Sequence, residues 1–242
     1  MPASTPRAGW TASLSRQRET LHAASTAARV ADLLRAQVLD GELRPGVQLG
    51  EEALVEALGV SRNTIREGLQ ILGHERLVEH RRHRGVFVRQ LSQGDLADLC
   101  GLRRSLEIGA LREAAALDGP LDPELVAAVQ AAAAEGVEAV AREDWTAVGT
   151  ANSRFHLGLA ALPGNPRIDS AIRSLLAELR LAFLLVADAR EMHERYVPAH
   201  VELAAQIAAG RLDDAAVTLE RYLRRSQRHL IAAYAAAVEQ IS

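Results

Sequence analysis

Gly59-Val60-Ser61-Arg62-Asn63-Thr64-Ile65-Arg66-Glu67 is the stretch on which the fold turns. It follows an apolar-periodic run, Glu51 to Leu58. Gly59 can take the left-handed conformation that ends a helix, and Ser61 can cap the next one. Two helices joined by a short turn are therefore predicted. From Arg62 onward, at about 100° per residue, Ile65, Leu69 and Leu72 fall on one side of the second helix. Arg62, Asn63, Arg66 and Gln70 cluster on another. One side packs and the other is free.

A free face of that composition suits the major groove of DNA. Arg forms paired bonds to guanine O6/N7, Asn and Gln to adenine N6/N7, and Thr64 offers a hydroxyl near the helix start. Each good bidentate pair supplies about 1–3 kcal/mol of discrimination. The plain alternative is an amphipathic helix with a solvated Arg face, and the flanking sequence decides between them. Upstream, a helix is predicted from Ser25, its cap, to Asp40, with Val30, Leu33, Leu34 and Val38 on one face. Pro45 and Gly46 in Gly41-Glu42-Leu43-Arg44-Pro45-Gly46 punctuate it. Downstream, Val78 to Gln90 has the apolar ends and basic centre of a hairpin. Its tip is Arg81-Arg82-His83-Arg84-Gly85, and Val86-Phe87-Val88 is the returning strand. A basic hairpin behind a recognition helix is a wing placed to touch phosphates or a minor groove.

Beyond Leu91 the pattern is helical, with breaks at Gly119-Pro120, Pro163-Gly164-Asn165-Pro166, near Pro198 and at Gly210-Arg211. About six helices fit. Ser92-Gln93-Gly94 reads as a linker, after which Asp95 opens a long helix from Leu96 to Leu117. The predicted plan is a flexible leader (1–24), a winged helix-turn-helix (25–91), a linker (92–94) and an all-helical domain (95–242). The fold class is mainly α, with a small β-hairpin wing and a C-terminal helical bundle.

The whole chain is compatible with that plan. It has 242 residues, 48% hydrophobic and 24% charged, enough for two domains and unlike extended disorder. Aromatics are only 3%, which suits close-packed helices better than a sheet-rich core. Cys100, the single cysteine, excludes an intramolecular disulfide and a cysteine-rich zinc motif, and reads as a small buried hydrophobe. No apolar run approaches the roughly 20 residues that span a bilayer, so a cytoplasmic protein without a membrane role is expected. The net charge is −3, but it is unevenly spread. Residues 1–91 carry 13 Arg and 10 acids, net +3, and residues 92–242 carry 15 Arg and 21 acids, net −6. Only the first part is ready for phosphates.

Three segments in order, Gly41 to Gly46, Leu58 to Leu69 and Arg84 to Val88, resemble the winged-helix signature of GntR-family transcriptional regulators. Leu102-Arg103-Arg104-Ser105-Leu106-Glu107, Asn152-Ser153-Arg154-Phe155-His156 and His200 to Gly210 are similar to the all-helical FCD effector domain of that family's FadR-like branch. The resemblance covers nearly all of residues 25–240. It implies Arg62, Asn63, Thr64 and Arg66 as DNA contacts, with Arg82, His83 and Arg84 of the wing beside them; the free helical face adds Gln70 and the hairpin tip adds Gly85 to the expected contacts. It also implies a homodimer on a palindromic operator in double-stranded DNA, acting as a repressor released by a small carboxylate. Two departures bear on operator sequence: Glu52 stands where some relatives carry a DNA-facing Arg, and Arg76 replaces a frequent Gly before the wing.

Many relatives place an Asp and three His around a divalent metal. The corresponding set here is Asn152, His156, His200 and Tyr222. Neutral imidazoles suit zinc or nickel, but Asn is a weak ligand and Tyr must lose a proton with a pKa near ~10. Either His156 and His200, with Asn152 and water, hold a metal, or the pocket is metal-free and its side chains bond the effector directly. Arg103 can pair with an effector carboxylate. His193 and His229 have no partner in the pattern and read as surface residues. Two rivals remain: a constitutive DNA-binding dimer with a degenerate pocket, and a metal-dependent hydrolase. The hydrolase lacks a motif-linked Asp or Glu base.

Overall fold

The computed structural model describes residues 18–186 and 189–241, which divide into two compact units between Arg89 and Gln90. In the first unit, helix α1 spans Arg18–Leu39, α2 Glu51–Leu58 and α3 Arg62–His74. Strand β1 (Gln48–Leu49) and the hairpin strands β2 (Val78–Arg81) and β3 (Gly85–Val88) form an antiparallel sheet ordered β1-β3-β2.

The α2–α3 turn is as expected. Gly59 sits at φ 64°, and its N–H bonds the Val55 carbonyl. The Ser61 hydroxyl accepts the Thr64 N–H at 3.1 Å, closing the N-terminus of α3. Ile65, Leu69 and Leu72 are fully buried. Across from them α1 buries Ala27, Val30, Ala31, Leu34 and Val38 at helical spacing, whereas Leu33, expected on that face, is exposed. α1 also begins earlier than predicted. Ser25 lies inside it rather than capping it, because the Ala-rich run around it favours helix on both sides. The expected leader is thus helical from Arg18, and its first part lies outside the described residues.

The wing turn is tighter than expected, since Arg81 and Gly85 are paired across the hairpin and only Arg82, His83 and Arg84 form the tip. His83 (φ 60°) and Gly85 (φ 95°) carry the left-handed backbone that closes it. Sequence reading missed β1. Gln48 pairs with Phe87, and its side-chain amide donates to the Arg84 carbonyl at 2.8 Å, tying the turn down.

The second unit is a helical bundle: α4 Gln93–Ala115, α5 Pro123–Ala141, α6 Trp145–Ala161, α7 Pro166–Phe183, α8 Ala189–His193, α9 Val197–Ala208 and α10 Leu212–Ile241. A 3₁₀ turn, Glu194–Tyr196, leads from α8 into α9. Ser92 is not linker but the N-cap of α4. Its hydroxyl accepts the Asp95 N–H at 3.0 Å and the Asp95 carboxylate accepts the Ser92 N–H at 2.9 Å. The α5–α6 break also escaped the sequence, since it holds no Gly or Pro. Glu143 takes φ 55° and Asp144 caps α6. The core is made of alanines and leucines around Phe155, Tyr196 and Tyr222. At the far end, the Tyr234 hydroxyl donates to the Leu91 carbonyl at 2.6 Å.

The glycines of α3 differ in surroundings. A Cβ on Gly68 would lie 2.8 Å from Val30 Cγ1 and 3.2 Å from the Ala27 carbonyl, whereas one on Gly73 meets nothing. Gly68→Val is therefore expected to destabilise the first unit by at least about 1–3 kcal/mol, through the forced separation of α1 and α3. Gly73→Ala is expected to stabilise it by up to about 1 kcal/mol. Denaturant titration of both variants reads the contrast.

Candidate functional site: a DNA-facing helix and a buried polar cluster

On α3, Arg62, Asn63, Arg66 and Gln70 are exposed, as the helical spacing requires. Thr64 is not: it is buried, and its hydroxyl lies 2.8 Å from the Ser61 hydroxyl, so it serves the cap rather than a base edge. The cationic side chains are held by acids. Arg62 Nη2 meets Glu52 at 3.1 Å, Arg66 Nε meets both oxygens of Glu51 at 2.9 Å, and the Asn63 amide donates to Glu67 at 2.7 Å. Glu51 and Glu52 open α2, where the helix dipole favours negative charge. These exposed pairs cost little to break. Arg82, His83, Arg84 and Gly85 are exposed at the wing tip. Arg81, by contrast, pairs with Glu79 at 2.7 Å and lies over the Phe87 ring at 4.5 Å.

In the second unit, α4, α6, α9 and α10 bring Arg103, Asn152, His156, His200 and Tyr222 together, all predicted from sequence. Arg103, His156, His200 and Tyr222 are buried. The Tyr222 hydroxyl lies 3.1 Å from His156 Nε2, 3.2 Å from His200 Nε2 and 3.5 Å from Asn152 Oδ1. Behind it, the fully buried Glu107 carboxylate accepts from Arg103 Nε at 2.7 Å and meets His156 Nδ1 at 2.7 Å. Phe155 stacks on His200, with centroids 4.4 Å apart.

Glu107 was not singled out from the sequence, although its place four residues after Arg103 is the signal that could have found it. His193 was expected at the surface but is buried, beside a cavity bordered by Arg103, Asn152, Ser153 and Arg180. It sits on a short helix after a break, where no spacing connects it to the others. His229, also expected at the surface, is partly buried with Nδ1 3.1 Å from the Tyr196 hydroxyl.

Residues 26–88 match the family described as bacterial regulatory proteins, gntR family, and residues 98–225 match the FCD domain. A transcriptional regulator of Streptomyces ambofaciens is 30% identical over 79% of this chain and 79% of its own. The chain belongs to the GntR family of transcriptional regulators. A solved GntR regulator from Rhodococcus sp. RHA1 superposes with a TM-score of 0.79 at 38% identity, covering 86% of this chain and 99% of that one. The galactonate operon transcriptional repressor of Escherichia coli is 39% identical over 33% of this chain and 35% of its own. The family consists of regulators, not enzymes, so the hydrolase rival falls.

Proton counting in the FCD cluster fixes its hydrogen bonds. Burial works against the Glu107 charge, but the Arg103 guanidinium and the hydrogen bonds from Arg103 and His156 overcome it and hold the carboxyl below its usual range. Burial and the Arg103 charge push the His156 imidazole down, so it is neutral. A neutral His156 beside an ionised Glu107 carries its proton on Nδ1, leaving Nε2 to accept the single Tyr222 proton. The Tyr222 oxygen then accepts from His200 Nε2–H. Burial likewise pushes the Tyr222 phenol up to about 12, so it keeps its proton.

The residues present do not fit the divalent metal of FCD relatives. A protonated phenol oxygen stands among the donors that would surround the ion, and Asn152 supplies no charge. The Arg103 guanidinium, which acts directly on Tyr222, would repel a dication. Tyr222→His exchanges the phenol for a third imidazole, and that variant is expected to bind about one zinc per chain. Tag-free parent protein is expected to hold none after dialysis against chelator. Elemental analysis of the pair checks this.

The buried imidazoles also set a pH dependence. Burial pushes His193 down to about 4 from the ordinary 6.5, and burial pushes His156 and His200 down as well. Between those two values the unfolded chain binds protons that the folded chain refuses, so stability rises with pH across that window. For His193 it is lost as pH falls from about 6.5 toward 4, by roughly 1.4 kcal/mol per pH unit, and His156 and His200 act in the same direction. His193→Gln is expected to flatten part of this slope in denaturant titrations at stepped pH.

Proposed function

We propose that this GntR regulator is a homodimeric repressor whose affinity for a palindromic operator is set by a small organic acid bound beside Arg103. One observation carries the effector reading. Arg103 Nη2 is buried with no hydrogen-bond partner, although its Nε is bound to Glu107. A buried guanidinium N–H without an acceptor costs free energy that a ligand carboxylate would recover, by a charge-assisted bond. Asn152 and His193 border the same cavity. The cavity measures about 10 Å³, at the lower limit for one water, so a ligand enters only if the surrounding helices part. That requirement supports coupling: a ligand that must open the bundle shifts its conformational equilibrium. A coupling of 1–3 kcal/mol, or about 5- to 150-fold in operator affinity, would release a repressor.

At the DNA, the exposed Arg62, Asn63, Arg66 and Gln70 are the readers, and the wing tip supplies phosphate contacts. Operator binding brings the acids Glu51 and Glu52 close to phosphates, so the pairs with Arg62 and Arg66 open as the bases are engaged. The name of the galactonate repressor accords with repression and with an acid signal, but the identity of the acid is open to a panel.

The experiment is a fluorescence-anisotropy titration of the DNA upstream of its own gene, with and without hydroxy, keto and sugar acids. Preference for that DNA over random duplex, weakened by one of the acids, supports the proposal. Equal affinity for both duplexes contradicts it. Operator binding indifferent to every acid favours a constitutive DNA-binding dimer. Arg62→Ala is expected to cost about 1–3 kcal/mol on the preferred duplex. Arg82→Ala is expected to weaken all duplexes alike and reduce the salt slope by about 1. Glu52→Gln, which removes a carboxylate from the DNA side, is expected to tighten binding most at low salt.

A further inference from the structure

A second space in the second unit lies outside the polar cluster. It is an open groove of about 460 Å³ between α9 and α10, floored by Ala199 and Tyr222 and flanked by Arg221, Arg224, Arg225 and Arg228. The inner cavity holds about 10 Å³ by the same measure. The groove has room for a metabolite of many atoms without rearrangement, and the inner cavity does not.

Its charge is at odds with its surroundings. Residues 92–242 have net charge −6, yet four guanidinium groups converge here. Their spacing at i, i+3, i+4 and i+7 places them on one face of α10, where like charges one turn apart repel. Arg224 alone has a carboxylate, Glu220 at 2.8 Å. Arg221 donates to the Thr218 hydroxyl at 3.4 Å, and Arg225 lies 5.6 Å from the Tyr196 ring centroid. Among the described residues, Arg221, Arg225 and Arg228 have no carboxylate partner. Glu202, the one acid lining the groove, is hydrogen-bonded to the Gln206 amide at 3.3 Å.

We infer that this groove binds a small molecule carrying two or more anionic groups, carboxylates or phosphates, at a site separate from the Arg103 cavity. From Arg221 to Arg228 the helix rises about 10 Å, which matches two or more charged groups on one ligand better than a single carboxylate. The guanidinium forks accept either oxyanion in paired bonds. Tyr222 belongs to both places: it lines the groove and its hydroxyl bonds His156 and His200 inside the bundle. An anion in the groove therefore bears on the helix turn that holds the inner cluster.

The test is calorimetric titration of the full-length, tag-free chain with citrate and, separately, with pyrophosphate, at physiological salt. Wild type is expected to bind at least one of them at about one per chain with a Kd below about 1 mM. Arg221→Ser/Arg228→Ser is expected to weaken that binding at least tenfold with an unchanged melting temperature in the absence of ligand. Arg142→Ser/Arg173→Ser removes the same charge elsewhere and is expected to leave it intact. Citrate alone binding identifies a carboxylate site and pyrophosphate alone a phosphate site, and each supports the inference. Arg103→Gln separates the two sites: it is expected to abolish the acid response at DNA while the groove still binds. Three results overturn the inference: no binding of either anion, equal loss in the two double variants, or a groove variant whose only change is dissociation of a dimer in sedimentation.

Discussion

The buried carboxylate of Glu107 is the interaction on which the C-terminal unit depends. An isolated charge there would cost several kcal/mol, and it is tolerated because two donors, Arg103 Nε and His156 Nδ1, converge on its two oxygens. The carboxylate in turn dictates the rest. It fixes the tautomer of His156, which orients the Tyr222 proton, which leaves His200 as a donor. It also neutralises Arg103 enough to be buried while leaving Nη2 of that guanidinium unmatched. Four helices are pinned together by one chain of bonds whose only unmet demand is for an acceptor. The proposed response to an acid rests on that imbalance.

The N-terminal unit follows a different logic. Its reading helix is held by sterics, with Gly68 allowing α1 to approach closely and with Ile65, Leu69 and Leu72 filling the contact. Its exposed Arg62, Asn63 and Arg66 rest on surface carboxylates, which the proposed phosphate and base contacts would replace. The buried cluster is the reverse: its side chains are bonded to one another, and only Arg103 Nη2 among the Arg103 and Glu107 contacts is left unmatched.

Much of this was legible in the sequence because it rests on local rules. Gly59 and Ser61 punctuate the helix-turn-helix whatever lies around them, and the α3 face follows from spacing alone. Four positions scattered over 120 residues, Arg103, Asn152, His156 and Tyr222, could be gathered only through family resemblance, and the structure does gather them. Other features depended on contacts that no window reveals. β1 is two residues long and exists because β3 offers an edge. Glu143 turns left-handed without Gly because the α5–α6 packing demands it. Thr64 looked like a base contact by type, yet the cap consumed its hydroxyl. His193 had no spacing partner and was buried by the tertiary fold. The sequence posed the metal question, as Asn and Tyr in place of Asp and His, and the phenol oxygen between the two imidazoles is a feature that only the tertiary structure displays.

The central claim is a metal-free, neutral histidine pair organised by Glu107 and Tyr222. Nitrogen-15 NMR of the imidazole side chains at pH 7 tests it most directly. The account predicts His156 as the Nδ1–H tautomer with an unprotonated Nε2, and His200 as a neutral Nε2–H tautomer, both unchanged by chelator. A doubly protonated ring, or an Nε2 resonance of either residue that shifts on metal removal, would contradict it.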